Sequence, residues 1–201
     1  LNLSAGSASN FLLAGNAGSD TVMLSSVNAE LNTGRVLGGK GNDSVIVDAD
    51  SGISTTIRGG DGADSVDVIF SAGSTKSLIE GDSTNGSGAD TIRVLGLAVG
   101  GPNSSNTIDG GAGNDSIVIT GNTATDGGNN LYLGGTGADT IYFQSAGAGY
   151  ISGSTIRGEA GNDSILIMAG SAGAVNSSII YGNKGDDTIT LSMDANQSAG
   201  S

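Results

Sequence analysis

Read in steps of two, this chain breaks into short stretches in which an apolar position alternates with a free one. The pairs Val22/Leu24, Val45/Val47, Val66/Val68, Ile92/Val94, Ile117/Ile119, Ile141/Phe143, Ile165/Ile167 and Ile189/Leu191 are apolar throughout. The residue between them (Met23, Ile46, Asp67, Arg93, Val118, Tyr142, Leu166, Thr190) obeys no rule. That period belongs to a strand with one buried face. The preference for β-branched side chains suits a packed, pleated surface. A second strand is predicted upstream of each pair, around Leu13, Val36, Ile57, Ile79, Ile108, Tyr132, Ile156 and Ile180. The residue two places before each is mostly small or polar, as at Thr55, Ser77, Asn106, Asn130, Ser154 and Ser178.

Between the two strands lies a glycine-rich turn that ends in aspartate. The turns read GNAGSD, GGKGND, GGDGAD, GGAGND, GGTGAD, GEAGND and GNKGDD, with one stretched form, GDSTNGSGAD, between Gly81 and Asp90. Their aspartates are Asp20, Asp43, Asp64, Asp90, Asp115, Asp139, Asp163 and Asp187, spaced by 23, 21, 26, 25, 24, 24 and 24 residues, and each precedes Ser or Thr. Turn and strand in constant phase over such a period indicate a solenoid. The expected fold is all-β: a parallel β-roll or β-solenoid of about eight coils of roughly 24 residues, each made of strand, turn, strand and a variable return loop. Residues 1–201 are read as a single array. A first residue Leu1 and an ending in mid-coil suggest a section of a longer repeat protein.

Composition changes this picture in two ways. The chain has 37 glycines in 201 residues, one proline, and no cysteine, histidine or tryptophan. Disorder is the plain alternative for such a composition, and the strict apolar phasing argues against it. Without cysteine there is no disulfide frame and no thiolate metal site. Seven Lys and Arg against twenty Asp and Glu give a net charge of −13. That charge disfavours nucleic acid and an anionic membrane surface as partners, and makes dications the natural counter-charge. No stretch is apolar enough to span a bilayer as a helix, so no membrane insertion is expected.

Stacking the coils brings neighbouring carboxylates to about 5 Å. Their repulsion is roughly 1 kcal/mol per neighbour in bulk water and about 3 at a surface-like dielectric. A cation between successive turns reverses the sign. Glycines allow positive φ, so carbonyl oxygens can turn inward. Two adjacent turns can then offer the six to eight hard oxygens that calcium prefers. Magnesium demands a stricter octahedron, and zinc or copper would want the absent His or Cys.

The turns resemble the repeats-in-toxin (RTX) family, whose nonapeptide is GGxGxDxUx with U apolar. GGKGNDSVI, GGDGADSVD and GGTGADTIY match every fixed position, while GEAGNDSIL and GNKGDDTIT depart at the second glycine. The resemblance implies a right-handed β-roll, calcium held between turns, export and calcium-dependent folding. It implies side-chain ligation by Asp20, Asp43, Asp64, Asp90, Asp115, Asp139, Asp163 and Asp187. It also implies backbone ligation by the carbonyls of Gly18, Gly39, Gly41, Gly60, Gly62, Gly88, Gly111, Gly113, Gly135, Gly137, Gly161 and Gly185. Family repeats follow one another every nine residues, whereas here the motif comes once per coil. A single calcium row of up to about seven ions, with a metal-free opposite edge, is the resulting expectation. The stretched turn beside Asp90 is where that row could break.

The remaining signals are bland. Asp48 and Asp50 are expected in a solvated return loop, and Asp186 in an exposed turn. The sequons at Asn42, Asn114 and Asn162 follow from the turn pattern, and the four tyrosines form no ladder. The reading is therefore a non-enzymatic, calcium-stabilised structural module of a large extracellular bacterial surface protein, such as a surface layer, filament or sheath. Self-association or neighbouring domains would cover its ends. A calcium-rigidified adhesin or other ligand-binding repeat is the alternative. Ice binding is less favoured, because the outer turn position varies irregularly through Lys40, Asp61, Ala112, Thr136, Ala160 and Lys184. Catalysis lacks a histidine or cysteine to carry it.

Overall fold

The computed structural model describes residues 1–4, 6–83, 86–95, 104–121, 129–145, 150–169 and 174–193. It is an all-β parallel solenoid. The strands that precede the turns form one eight-stranded sheet: Leu12–Ala17, Arg35–Lys40, Thr56–Asp61, Leu78–Asp82, Thr107–Ala112, Leu131–Thr136, Thr155–Ala160 and Ile179–Lys184. The strands that follow the turns form the second sheet: Thr21–Asn32, Ser44–Ile53, Ser65–Thr75, Thr91–Leu95, Ser116–Gly121, Thr140–Ser145, Ser164–Ala169 and Thr188–Met193. Two short strands, Asn2–Ser4 and Ala8–Ser9, complete it at the first coil.

Register explains the phasing seen in the sequence. Leu13, Val36, Ile57, Ile79, Ile108, Tyr132, Ile156 and Ile180 lie in one column of the pre-turn sheet. The two apolar positions after each Asp make two further columns in the other sheet. All three columns point inward, and together they form the buried core. The exception is the final coil, where Ile189 and Leu191 are 46% and 45% exposed. Tyr132 belongs to this core: its ring meets Phe143 edge to face at 4.8 Å, an arrangement favoured by the quadrupoles of both rings.

The return segments depart from the expected loops. In the early coils the strand after the turn runs on through the return, with register shifts between Ser26 and Glu30 and between Ala49 and Ser51. Asp48 and Asp50 therefore sit in a strand rather than a solvated loop, and the Ser71 hydroxyl donates to Asp50 at 2.8 Å. Later returns use a separate pair of short strands, Tyr150–Ser152 and Ala174–Asn176. The glycine- and alanine-rich stretches 146–149 and 170–173 lie outside the described residues.

The corner opposite the glycine turns is closed by another device. Asn10, Thr33, Ser54, Lys76, Ser105, Asn129 and Ser177 all have φ between 43° and 62°. In five of these coils the next residue is polar (Thr55, Ser77, Asn106, Asn130 and Ser178), whereas Phe11 and Gly34 follow Asn10 and Thr33. The Ser77 amide donates to Asn106 Oδ1 at 2.9 Å, and the Asn106 amide donates to Asn130 Oδ1 at 2.8 Å. The amides of Thr55 and Ser154 use the hydroxyls of Ser77 and Ser178. These neutral side chains lace one coil to the next where the backbone bends away from its ladder, as buried amides require.

Candidate metal centre

Each glycine turn takes its shape from its second and fourth positions. At the second position φ is positive in seven coils: Asn16, Gly39, Gly60, Gly111, Gly135, Glu159 and Asn183. At the fourth, Gly18, Gly41, Gly62, Gly113, Gly137, Gly161 and Gly185 are positive as well. There the carbonyl of the preceding coil packs where a Cβ would stand. A Cβ on Gly41 would lie 2.5 Å from the Gly18 oxygen, and one on Gly62 would lie 2.6 Å from that of Gly41. Only Cα–H can face such a carbonyl at that distance.

The eight aspartates named from the sequence form one continuous row. The amide of each donates to Oδ1 of the next: Asp20 to Asp43, Asp43 to Asp64, Asp64 to Asp90, Asp90 to Asp115, Asp115 to Asp139, Asp139 to Asp163 and Asp163 to Asp187, all at 2.7–2.9 Å. The insertion before Asp90 does not break the row: Asp90 stands in register at 1% exposure. Sequence reasoning missed this lacing. One acceptor per coil, always directly before a strand, is the signal that could have revealed it.

The second carboxylate oxygen has no such role. Oδ2 of Asp20, Asp43, Asp64, Asp90, Asp115, Asp139 and Asp163 is buried without a hydrogen-bond partner. It turns into the bend toward the first glycine. A Cβ on Gly15 would lie 2.8 Å from Asp20 Oδ2 and 2.5 Å from the Gly38 carbonyl oxygen of the next coil. The same pair of oxygens meets at Gly59 (Asp64 Oδ2 and the Gly81 oxygen, both 2.6 Å) and at Gly134 (Asp139 Oδ2 2.8 Å, Gly158 oxygen 2.7 Å). It recurs at Gly38, Gly81 and Gly110. The pre-turn ladder skips this glycine in register, as between Ala14↔Leu37 and Asn16↔Gly39. Its carbonyl has swung out of the sheet and into the turn.

The first glycine of each turn was thus overlooked as a site residue. Its signal is its constancy: Gly15, Gly38, Gly59, Gly81, Gly110, Gly134, Gly158 and Gly182 never vary, whereas the second position does. The glycine carbonyls named from the sequence lie along the same edge. Those of Gly18, Gly39, Gly41, Gly62, Gly88, Gly111, Gly113, Gly137 and Gly161 face the next coil along the stack. The Gly60 carbonyl accepts from Ser83 at 2.9 Å, and Gly135 and Gly185 hold the equivalent positive-φ places in their turns.

Burial raises these carboxyls: Asp90 and Asp115 to about 7, Asp64 and Asp139 to about 6, and Asp163 in the same direction. The amide given to each Oδ1 opposes the rise, and neighbouring carboxylates add to it. No three carboxylates among the described residues close round one point. A site here would be a mixed one, with single carboxylates and carbonyls contributed by successive coils. Buried bare oxygens that converge with main-chain carbonyls, with no nitrogen or sulfur donor, fit a hard cation of the calcium type. Bound there, calcium would supply the positive charge that the turns lack.

A family model described as the RTX calcium-binding nonapeptide repeat (4 copies) matches residues 55–68, 103–118, 125–142, 152–166 and 177–197. These segments are similar to RTX calcium-binding repeats. The matched segments contain the turns of Asp64, Asp115, Asp139, Asp163 and Asp187. The turns of Asp20, Asp43 and Asp90 lie outside them but share the same amide-to-carboxylate lacing. No curated protein and no solved structure matched the chain. In three of the turns, Asn42, Asn114 and Asn162 accept from the amides of Ala63, Ala138 and Asp186 one coil on, at 2.8–3.1 Å. This explains why these sequon residues recur with the turn.

Proposed function

We propose that the chain is a calcium-stabilised structural β-roll module of a large extracellular bacterial surface protein. The observation that carries this reading is the file of seven buried, partnerless Oδ2 atoms, six of them beside an inward carbonyl of the next coil. Such a file opposes folding unless protons or cations occupy it. The eight aspartates would ligate through Oδ2, and the carbonyls of the turn glycines would supply the main-chain oxygens. Up to about seven ions would fill the gaps between eight turns, close to balancing the net charge of −13.

Calcium sites of extracellular modules work at roughly 10⁻⁴–10⁻³ M, saturated outside the cell and empty inside it. The array then folds on export and serves as a rigid spacer. Residues 1–201 act as one array within a longer protein, and further coils or neighbouring subunits cover its ends. The lack of histidine and cysteine favours a non-catalytic role. The acidic charge favours neither nucleic acid nor membrane as partner, and no helix among the described residues is long and apolar enough to cross a bilayer.

Circular dichroism during calcium titration, followed by chelation, tests the proposal. Strand signal should appear with calcium at neutral pH and collapse when it is removed. An identical spectrum and melting curve in calcium and in chelator would refute it.

A second reading, a calcium-rigidified adhesin, draws support from the outer face of the post-turn sheet. Ile69, Leu95 and Met168 are 37–41% exposed there, and the Tyr142 hydroxyl lies 3.2 Å from the Met168 sulfur.

A further inference from the structure

The stretched fourth turn differs from its neighbours in chemistry as well as length. Asp82 occupies its second position, in register with Gly60. The pre-turn ladder toward the following coil stops at Glu80↔Asp109. Beyond that point the Ala112 amide donates to Asp82 Oδ2 at 2.9 Å. A side-chain carboxylate thus replaces the main-chain carbonyl that the insertion carried away.

That splint uses one oxygen only. Asp82 is 5% exposed, and its Oδ1 is buried with no hydrogen-bond partner among the described residues. It shares a point with the Gly60 carbonyl oxygen: a Cβ on Gly86 would lie 2.6 Å from each. Beside it opens a cavity of about 180 Å³ lined by Glu80, Asp82, Ser83, Asp109 and Gly111. Among the described residues Glu80 is ion-paired with Arg58, whereas no Lys or Arg pairs with Asp82 or Asp109. The Asp61 carboxylate stands close by, accepting from the Ser83 hydroxyl.

We propose that this cavity is a second divalent-cation site, off the aspartate row, held by the carboxylates of Asp82 and Asp109 that line it. Its donors are hard oxygens, so its ion is calcium rather than a transition metal. Splinting alone would be served equally by Asn or by a serine hydroxyl. A carboxylate with one buried oxygen left bare is costly there unless a cation meets it. The site takes no ligand from the eight row aspartates.

Equilibrium dialysis of the whole chain against radioactive calcium tests the site, comparing the unaltered chain with D82N, D109N and D82N/D109N. Asn at position 82 keeps an acceptor for Ala112, and Asp109 is not part of the splint. Each single variant should weaken one site, and the double variant should bind about one ion fewer per chain, with the strand signal in calcium unchanged. Equal binding by the unaltered chain and D109N, or by the unaltered chain and the double variant, would overturn the proposal. D115N in the same experiment reports on the row alone. If D115N loses calcium and D82N/D109N does not, the row stands and the second site falls. An unaltered chain that binds no calcium removes both.

Discussion

The amide of Asp90 donates to Asp115 Oδ1 at 2.8 Å, while Oδ2 of the same carboxylate is buried beside the Gly134 carbonyl with no donor. One oxygen thus serves the backbone ladder and the other the turn interior. The two roles can be separated by substitution.

Asp115→Asn keeps the acceptor for Asp90, removes the charge and offers the Gly134 carbonyl a donor. Without calcium at pH 7.5 the variant should be more stable than the parent, by about 1–3 kcal/mol. With calcium the order should reverse. Asp115→Ala should lose stability in both conditions, because the Asp90 amide is left bare. Thermal melts with calcium and with chelator would read all four combinations.

The raised carboxyls give the metal-free chain an inverted pH profile. Asp90 and Asp115 at about 7, and Asp64 and Asp139 at about 6, hold protons in the fold that the unfolded chain has released above its ordinary value near 3.8. Stability is therefore highest below that value and is lost as pH rises through about 4 to 7. Chelated protein should melt at a higher temperature at pH 4.5 than at pH 7.5. Saturating calcium should flatten that difference or reverse it.

Gly134→Ala tests the turn interior by steric means. The new methyl would stand 2.7 Å from the Gly158 oxygen and 2.8 Å from Asp139 Oδ2. It should cost roughly 1–3 kcal/mol through displaced neighbours. It should also reduce calcium binding in direct titration, because it fills the place where these oxygens converge.

Asn106→Ala tests the opposite corner. Asn106 accepts from the Ser77 amide and donates to the Ser74 carbonyl, both at 2.9 Å. Leaving those groups buried and unpaired should cost about 1–3 kcal/mol each. The loss should be the same with calcium or chelator, in contrast to the row variants.

The strand phasing and the aspartate row were legible because both repeat at fixed offsets. A period of two within a period near 24 fixes which side chains face inward, as the columns through Val66 and Ile108 show. The lacing by Oδ1 was hidden because a carboxylate in a glycine turn reads equally as a ligand or a solvated group. The positive-φ corner at Thr33, Ser54 and Lys76 was hidden because those residues carry no turn signature. The strand character of the returns around Asp48 and Phe70 depends on pairing with the neighbouring coil rather than on local preference. Asp82 escaped notice because it fits neither the repeat nor a known loop pattern.

The neutral lacing through Ser77, Asn106 and Asn130 holds whatever the salt, whereas the aspartate edge depends on it. The rod consequently has a bound spine and a fore-edge. Ion loss should fan the coils open from one side, like pages, before the binding gives way.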